Sequence, residues 1–397
     1  MWTSKAPKIS AVDTLKMTSC SDLRKLRRRD AIQVISAGLS MTTLTKHSVA
    51  CHVPDHCFTL PILGALSGPF SPLCADFLAG ALLAFETRRE RYGRTLTGDT
   101  RSDPTKAVQL LSQYADVDRA SGFLLGDNGG VSSVARTWAE QKRIPVISGV
   151  STNQGLTESR NEWFFRISPR ESDLAAAAAN FLRARQGAIN GVAVLVAQES
   201  QLPHYRAAIS AAGGTAAFSE SATLESLAGK LRGQRLTAIL IVGFPGQRVR
   251  SALSELRTES AFRQLPTVIV DFAAVQTAEN QAPDEQMLLV TANHLPATLN
   301  ATQRSAKAEF ERKWPARQFT GQASVGYAAA VLAMDAFKTA NPGTRSGSAA
   351  QFRDQILRGA SASEEAAAVL PWPIRFDPIT HQNLGAVPFV VPATRRA

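Results

Sequence analysis

The sequence predicts an α/β protein of two doubly wound parallel-sheet lobes joined by a multi-crossing hinge. Three observations predict it. Short apolar runs alternate with helix-period stretches, and the alternation occurs twice along the chain. The length of 397 residues is too great for one small domain and suits two α/β units. No low-complexity linker separates the units, so several short crossings join them instead of one tether.

The first unit opens with a strand over 58–65 and a helix over 73–89, where Leu73, Phe77, Ala81 and Phe85 recur every four residues. A strand over 95–99 follows. Asp103-Pro104 then starts a helix, with Asp as N-cap and Pro in the first turn. Strands over 123–126 and 144–148 end in a glycine-rich loop (127–131) and a polar loop (149–157), with a helix between them. Residues 163–168 lead into the second unit. Helices are predicted there over 171–185, 203–212 and 246–259, and strands over 191–198, 237–243, 266–271 and 286–291. Helical stretches over 302–314, 322–339 and 349–358 and a two-strand signal, 372–376 with 386–391, close the chain.

Residues 1–57 read as an export leader and processed region. Leu23–Asp30 is dense in arginine, Ala31–Leu44 is moderately apolar, and a short polar segment follows. Consecutive arginines before a weakly hydrophobic run resemble a twin-arginine export signal. Ser48-Val49-Ala50-Cys51 resembles a lipoprotein cleavage box, which makes Cys51 the candidate lipidation site. The rival reading of this region is a helix-turn-helix over 37–46, with Gly38 at the turn and Ser40 as N-cap. Nine Lys or Arg face four Asp or Glu in residues 1–57, and 35 face 29 in the rest. The body is mildly basic and lacks the dense, aromatic-interleaved basic face of a nucleic-acid binder. Cys20, Cys51, Cys57 and Cys74 have no zinc spacing, and Cys74 reads as a buried thiol.

Several stretches, in order, resemble the leucine/isoleucine/valine-binding protein family of type I periplasmic solute-binding proteins. They are Gly64–Pro69, Gly80-Ala81, Asp99–Ala107, Ile144–Ser148, Phe165-Arg166, and Phe376-Asp377 with Gly385. The likeness spans about residues 58–392. It implies a type I periplasmic-binding fold, with lobe one over 58–167 plus 293–370 and lobe two over 168–292 plus 371–397. It also implies hinge closure on ligand. A disulfide frequent in the family has Ser102 and Gly129 at its two positions here, so both partners are absent together.

Ligands of open α/β sheets bind at the carboxyl ends of the strands, where backbone N–H groups, hydroxyls and helix N-termini converge. The glycine-rich loop and the loop at 149–152 stand there. By resemblance, Gly130 takes the place of a carboxylate-binding serine. It has no hydroxyl, so Ser132, Ser133 or the backbone would serve instead. Thr152 aligns with a threonine whose hydroxyl and amide hold the ligand head, Val150 with a residue whose carbonyl accepts the ligand ammonium, and Ser151 lies between them. Phe244 aligns with an aromatic that closes over the ligand, and Asp271 lies near the acid that pairs the ammonium. Phe70 and Leu73 are expected to wall the cleft. Each has a plain alternative: a turn glycine, a cap hydroxyl, or strand-end packing.

The six histidines form no metal spacing, and no nucleophile elbow, P-loop or dinucleotide fingerprint occurs. That argues against an enzyme, and the family resemblance implies a monomeric solute receptor without cofactor or bound metal. Its partners would be an amino acid or organic acid and an ABC permease in the inner membrane, with no nucleic acid. The alternatives are an exported sensor or a repressor of the same fold.

Overall fold

The structure is a computed structural model that describes residues 58–68, 70–88, 93–221, 224–270, 287–340, 349–360 and 363–392. The expected leader, the Cys51 lipidation site, the helix-turn-helix look-alike and Asp271 lie outside the described residues.

In the first lobe the strands are β1 (Phe58–Thr59), β2 (Ile62–Gly64), β3 (Gly93–Arg94), β4 (Thr97–Asp99), β5 (Phe123–Gly126), β6 (Val146–Ser148) and β7 (Phe164–Arg166). Its helices are α1 (Ser71–Arg88), α2 (Pro104–Asp116) and α3 (Gly129–Lys142). The sheet is parallel throughout, in the order β4-β2-β5-β6-β7, while β1 and β3 form a separate two-residue pair. Asp103 caps α2 by accepting the N–H groups of Thr105 (2.8 Å) and Lys106 (3.3 Å), as its place before Pro104 predicts.

The second lobe contains β8 (Asn190–Val196), β9 (Thr215–Ser221), β10 (Ala238–Val242), β11 (Thr267–Val270), β12 (Met287–Thr291) and β13 (Phe389–Pro392). Its helices are α4 (Glu171–Gln186), α5 (Leu202–Ala211), α6 (Leu227–Leu231) and α7 (Gly246–Thr258). The sheet order is β13-β12-β11-β10-β8-β9, with β13 antiparallel and the rest parallel. The chain then adds α8 (Ala301–Lys313), α9 (Gly321–Ala340), α10 (Ala349–Gly359) and α11 (Glu364–Val369).

Both sheets are covered on both faces, which is why their strands read as continuous apolar runs. Ile62, Leu124, Ile147 and Phe165 face α1 and α9, while Leu63, Leu125, Val146 and Phe164 face α2 and α3. In the second lobe Val192, Val194, Leu240 and Val268 face α4 and α5, and Ala193, Leu195, Ile239 and Ile241 face α6 and α7. Helices α1 and α9 touch backbone to backbone. A Cβ on Gly80 would stand 1.9 Å from the Ala323 carbonyl oxygen, and one on Gly326 would stand 1.9 Å from that of Phe77. Only glycine at both positions permits this approach.

Two expectations need correction. The closing two-strand unit does not form. Phe376 makes an isolated bridge with Asn383, and β13 instead pairs with β12, which has a free outer edge whose backbone groups need partners. Strand β9 and helices α6 and α11 were not anticipated. Strand β9 reads Thr-Ala-Ala-Phe-Ser-Glu-Ser, an edge segment with partial exposure along its length and few β-branched residues.

Candidate functional site

In both lobes the first strand has its successor on one side and the third strand on the other. The order β4-β2-β5 recurs as β9-β8-β10. This reversal creates a topological switch point, at β2/β5 in one lobe and β8/β10 in the other, where the loops leaving the strands part and open a crevice. The two crevices line one cleft of about 390 Å³. Lobe one contributes Phe70, Leu73 and Cys74 after β2, Asn128 and Gly129 after β5, and the loop 150–155 with Glu158 after β6. Lobe two contributes Glu171, then Gln198, Ser200, Gln201 and His204 after β8, and Gly243 after β10. The size lies within the ~300–1,000 Å³ of small-molecule sites.

The loops are fixed by acids at the strand ends. Asp99 accepts the N–H groups of Leu66 (2.9 Å), Ser67 (3.3 Å) and Arg101 (2.9 Å), and the Ser67 hydroxyl at 2.7 Å, which orders the loop after β2. Asp127 is fully buried. It accepts the Thr100 hydroxyl and the Asn128 N–H (2.7 Å), and burial pushes its carboxyl up to about 6. Asn128 caps α3 through Gly130 N–H (2.9 Å) and Val131 N–H (3.1 Å). Gly129, as the first residue of α3, has no intrahelical acceptor for its N–H, and it borders the cleft.

The central feature is Glu171, the first residue of α4, which sequence reasoning missed. It is 3% exposed. One carboxylate oxygen accepts the Thr152 hydroxyl at 3.2 Å; the other accepts Tyr205 Oη at 2.7 Å and Gln201 Nε2 at 3.3 Å. Its own N–H donates to the Thr152 carbonyl at 2.8 Å. Burial pushes the Glu171 carboxyl above its ordinary value, while the three donors and the nearby His204 pull it back. Gly243, at φ 73°, leaves room for Gln201: a Cβ there would meet Gln201 Oε1 at 3.0 Å. The sequence did contain a signal for Glu171, namely one acid directly after the lobe crossing, at the head of an alanine-rich helix.

Of the residues singled out in the sequence, Phe70, Leu73, Val150, Ser151 and Thr152 line the cleft. The Ser151 hydroxyl accepts the Asn153 N–H at 3.3 Å. Gly130 and Ser132 do not line it. Gly130 is exposed, one residue beyond the cleft edge. Ser132 is fully buried and donates to the Asp127 carbonyl at 3.4 Å, because one further turn of α3 carries it under the helix. Phe244 lies in the α6/α7 core, since the chain turns at Gly243 and sends the next side chain inward. Cys74 is a buried free thiol, pushed up by burial.

Two buried polar networks tie the 149–157 loop to the lobe crossings. Arg166, wholly buried, donates from Nε to Gln382 Oε1 (2.6 Å), from Nη1 to the Asn153 carbonyl and from Nη2 to the Thr157 hydroxyl. Burial pulls its guanidinium below the ordinary value, with the Arg170 charge adding to the effect. The Gly149 carbonyl accepts Ser168 Oγ (2.5 Å) and Asn293 Nδ2 (3.2 Å), and Asn293 also donates to Gln322 at 2.9 Å. Among the described residues no group of three or more His, Cys, Asp or Glu is placed to hold a metal ion.

The profile of the family described as periplasmic binding protein matches residues 58–390. The chain belongs to that family. Among curated proteins, none matches this periplasmic binding protein in sequence. Solved structures resemble it in fold. A substrate-binding protein of an ABC transporter from Desulfitobacterium hafniense, in complex with Leu, is 18% identical, with a TM-score of 0.68 over 84% of this chain and 96% of that one. LivJ from Streptococcus pneumoniae, in complex with isoleucine, is 15% identical, with a TM-score of 0.68 over 84% and 94%. A fatty acid ABC transporter substrate-binding protein from Thermomonospora curvata is 16% identical, with a TM-score of 0.67 over 85% and 88%. Similarity this even across amino acid and fatty acid proteins fixes the two-lobed architecture and leaves the ligand to the cleft residues.

Proposed function

We propose that this protein is an extracytoplasmic receptor of an ABC transporter, which captures a small amino acid-like solute between its lobes and delivers it to a membrane permease. The observation that carries this reading is the meeting of two switch-point crevices on one cleft, with polar groups supplied from both sides. Lobe one is taken as 58–167 plus 293–370 and lobe two as 168–292 plus 371–397. The lobes rotate about the crossings near Ser168, Asn293 and Gln382. Thr152, Ser151 and the Val150 carbonyl face the ligand head, Phe70 and Leu73 flank its tail, and Glu171 meets it from lobe two. Asp271, the residue after β11 in sequence, is kept as a proposed partner for the ligand ammonium.

Residues 1–57 are read as the export leader, with Cys51 as the site of a lipid anchor. A thermal-shift screen of amino acids and organic acids tests capture, because a ligand that binds only the folded state raises the unfolding midpoint. A hit confirmed by calorimetry, and abolished by filling the cleft with Gly129→Trp, is the expected result. A hit unaffected by that change places the site elsewhere. Mass spectrometry of the mature chain tests export: cleavage between about Leu44 and Cys57 is expected, and an intact chain that binds DNA in a salt-dependent way would instead indicate a regulator.

A further inference from the structure

If the protein is such a receptor, the Thr152–Glu171 pair bears on which ligands its cleft accepts, and the ligand class rests on that reading. A hydroxyl carries one proton to donate. The Thr152 proton goes to Glu171 Oε2 at 3.2 Å, so while that bond stands it is not available to a ligand carboxylate. The position where the family resemblance places a carboxylate-binding serine is Gly130, which has no hydroxyl and lies outside the cleft lining. The described lining residues include the carboxylates Glu158 and Glu171 and the imidazole of His204, but no Lys or Arg. A ligand anion would enter beside two like charges, with the α3 N-terminus at Gly129 as its main compensation.

A cationic nitrogen meets the opposite balance. The three donors to Glu171 are a hydroxyl, a phenol and an amide, all uncharged. They satisfy its hydrogen bonding without cancelling its charge; His204 and Arg166 act on it electrostatically, but among the described residues neither is in salt-bridge contact with it, so a cation that reaches it stabilises the buried carboxylate further. A carboxylate offers about four acceptor sites, so three protein donors leave one for a ligand N–H.

We propose that the cleft selects a ligand with a protonated nitrogen at its buried end (a primary amine, amidinium or guanidinium), anchored by Glu171, and that a carboxylate on the ligand is not required. Amino acids then bind through their ammonium group, and simple organic acids are excluded.

The test uses matched sets that share a tail and differ in the head. The sets are leucine, 3-methylbutylamine and 4-methylpentanoate; phenylalanine, phenethylamine and 3-phenylpropanoate; and alanine, ethylamine and propanoate. Each compound is titrated into the wild-type protein by calorimetry. In at least one set the amine and the amino acid bind, and the acid binds about tenfold or more weakly. Glu171→Gln, which keeps the size and an acceptor, then lowers amine affinity by about tenfold or more while leaving that of the acid unchanged. The wild-type series stands even if the variant fails to fold, and its thermal midpoint reports that directly. An acid binding as tightly as its matched amine, or a folded Glu171→Gln variant with undiminished amine affinity, overturns the proposal. Binding of acids alone overturns it and leaves the receptor reading standing; binding of no compound in any set overturns both.

Discussion

The Thr152 hydroxyl donates to Glu171 at 3.2 Å, and the Glu171 N–H donates back to the Thr152 carbonyl at 2.8 Å. This reciprocal pair joins the loop after β6 in one lobe to the first residue of α4 in the other. It lies on the cleft wall, so changes at either residue are expected to alter the geometry where the two lobes meet and, on the function proposed above, ligand capture.

Thr152→Ala removes one of the three side-chain donors of a buried carboxylate. The expected stability loss is about 1–2 kcal/mol in urea unfolding. For any cleft ligand found by thermal shift, affinity falls by about tenfold. Thr152→Ser keeps the hydroxyl and retains most of both. Equal dissociation constants for wild type and Thr152→Ala in calorimetry would remove Thr152 from the binding machinery.

Arg166→Met leaves the Asn153 carbonyl, the Thr157 hydroxyl and the Gln382 amide oxygen without their guanidinium donor. The expected loss is on the order of 3 kcal/mol, read from the denaturant midpoint. Arg166→Lys restores only part of it, because one ammonium does not reproduce the planar fork that reaches three separate segments.

Gly80→Ala and Gly326→Ala each push a methyl group into the backbone of the opposing helix, 1.9 Å from a carbonyl oxygen. Each is expected to cost about 2–3 kcal/mol or more, seen as a lower thermal midpoint. Gly359→Ala serves as the control. No atom lies within 4 Å of its added Cβ, and it closes α10 without positive φ, so its midpoint stays or rises. A midpoint unchanged by Gly80→Ala would mean that α1 and α9 do not touch.

Acidification has opposite effects at two buried groups. Desolvation, with the Arg353 charge, pulls the His381 imidazole down to about 4 where it stacks on Phe165, centroids 4.2 Å apart. An unfolded imidazole titrates near ~6.5, so between these values the unfolded chain binds the extra proton and stability falls as pH drops. His381→Phe removes that term and flattens the decline in thermal midpoint between pH 7 and pH 4. Asp127 is raised to about 6, so its folded form takes up a proton first and stability gains as pH falls through that value. Asp127→Asn removes the gain and steepens the decline.

The inner sheet strands were legible because they are buried on both faces, and a five-residue run such as Ala238–Val242 has few other readings. Helix α2 was legible to the residue at its start, since Asp103-Pro104 specifies a cap. Strand β9 was not, because its partial exposure along the sheet edge removes the apolar signal. The loop containing Val150, Ser151 and Thr152 was legible from its place after a buried strand. Phe244 packs in the α6/α7 core because of a turn at Gly243 that sequence periodicity does not encode. Glu171 looked like an ordinary acid favouring a helix N-terminus. Its meaning depends on Gln201 and Tyr205, which approach it only after β8 and α5 have formed and docked.

The last stretch of the described chain serves both lobes. Residues 381–383 add to the outer edge of β7, and β13 adds to the outer edge of β12. Gln382 and Arg166 lie 216 positions apart in sequence. Neither sheet therefore reaches its full width until the ribosome has released nearly the whole polypeptide. Contacts of such long sequence separation form slowly, which leaves the nascent chain open for an extended period before its edges are sealed. An early stop codon near position 380 would for that reason leave two exposed strand edges, one in each lobe, where nascent molecules can stick to one another.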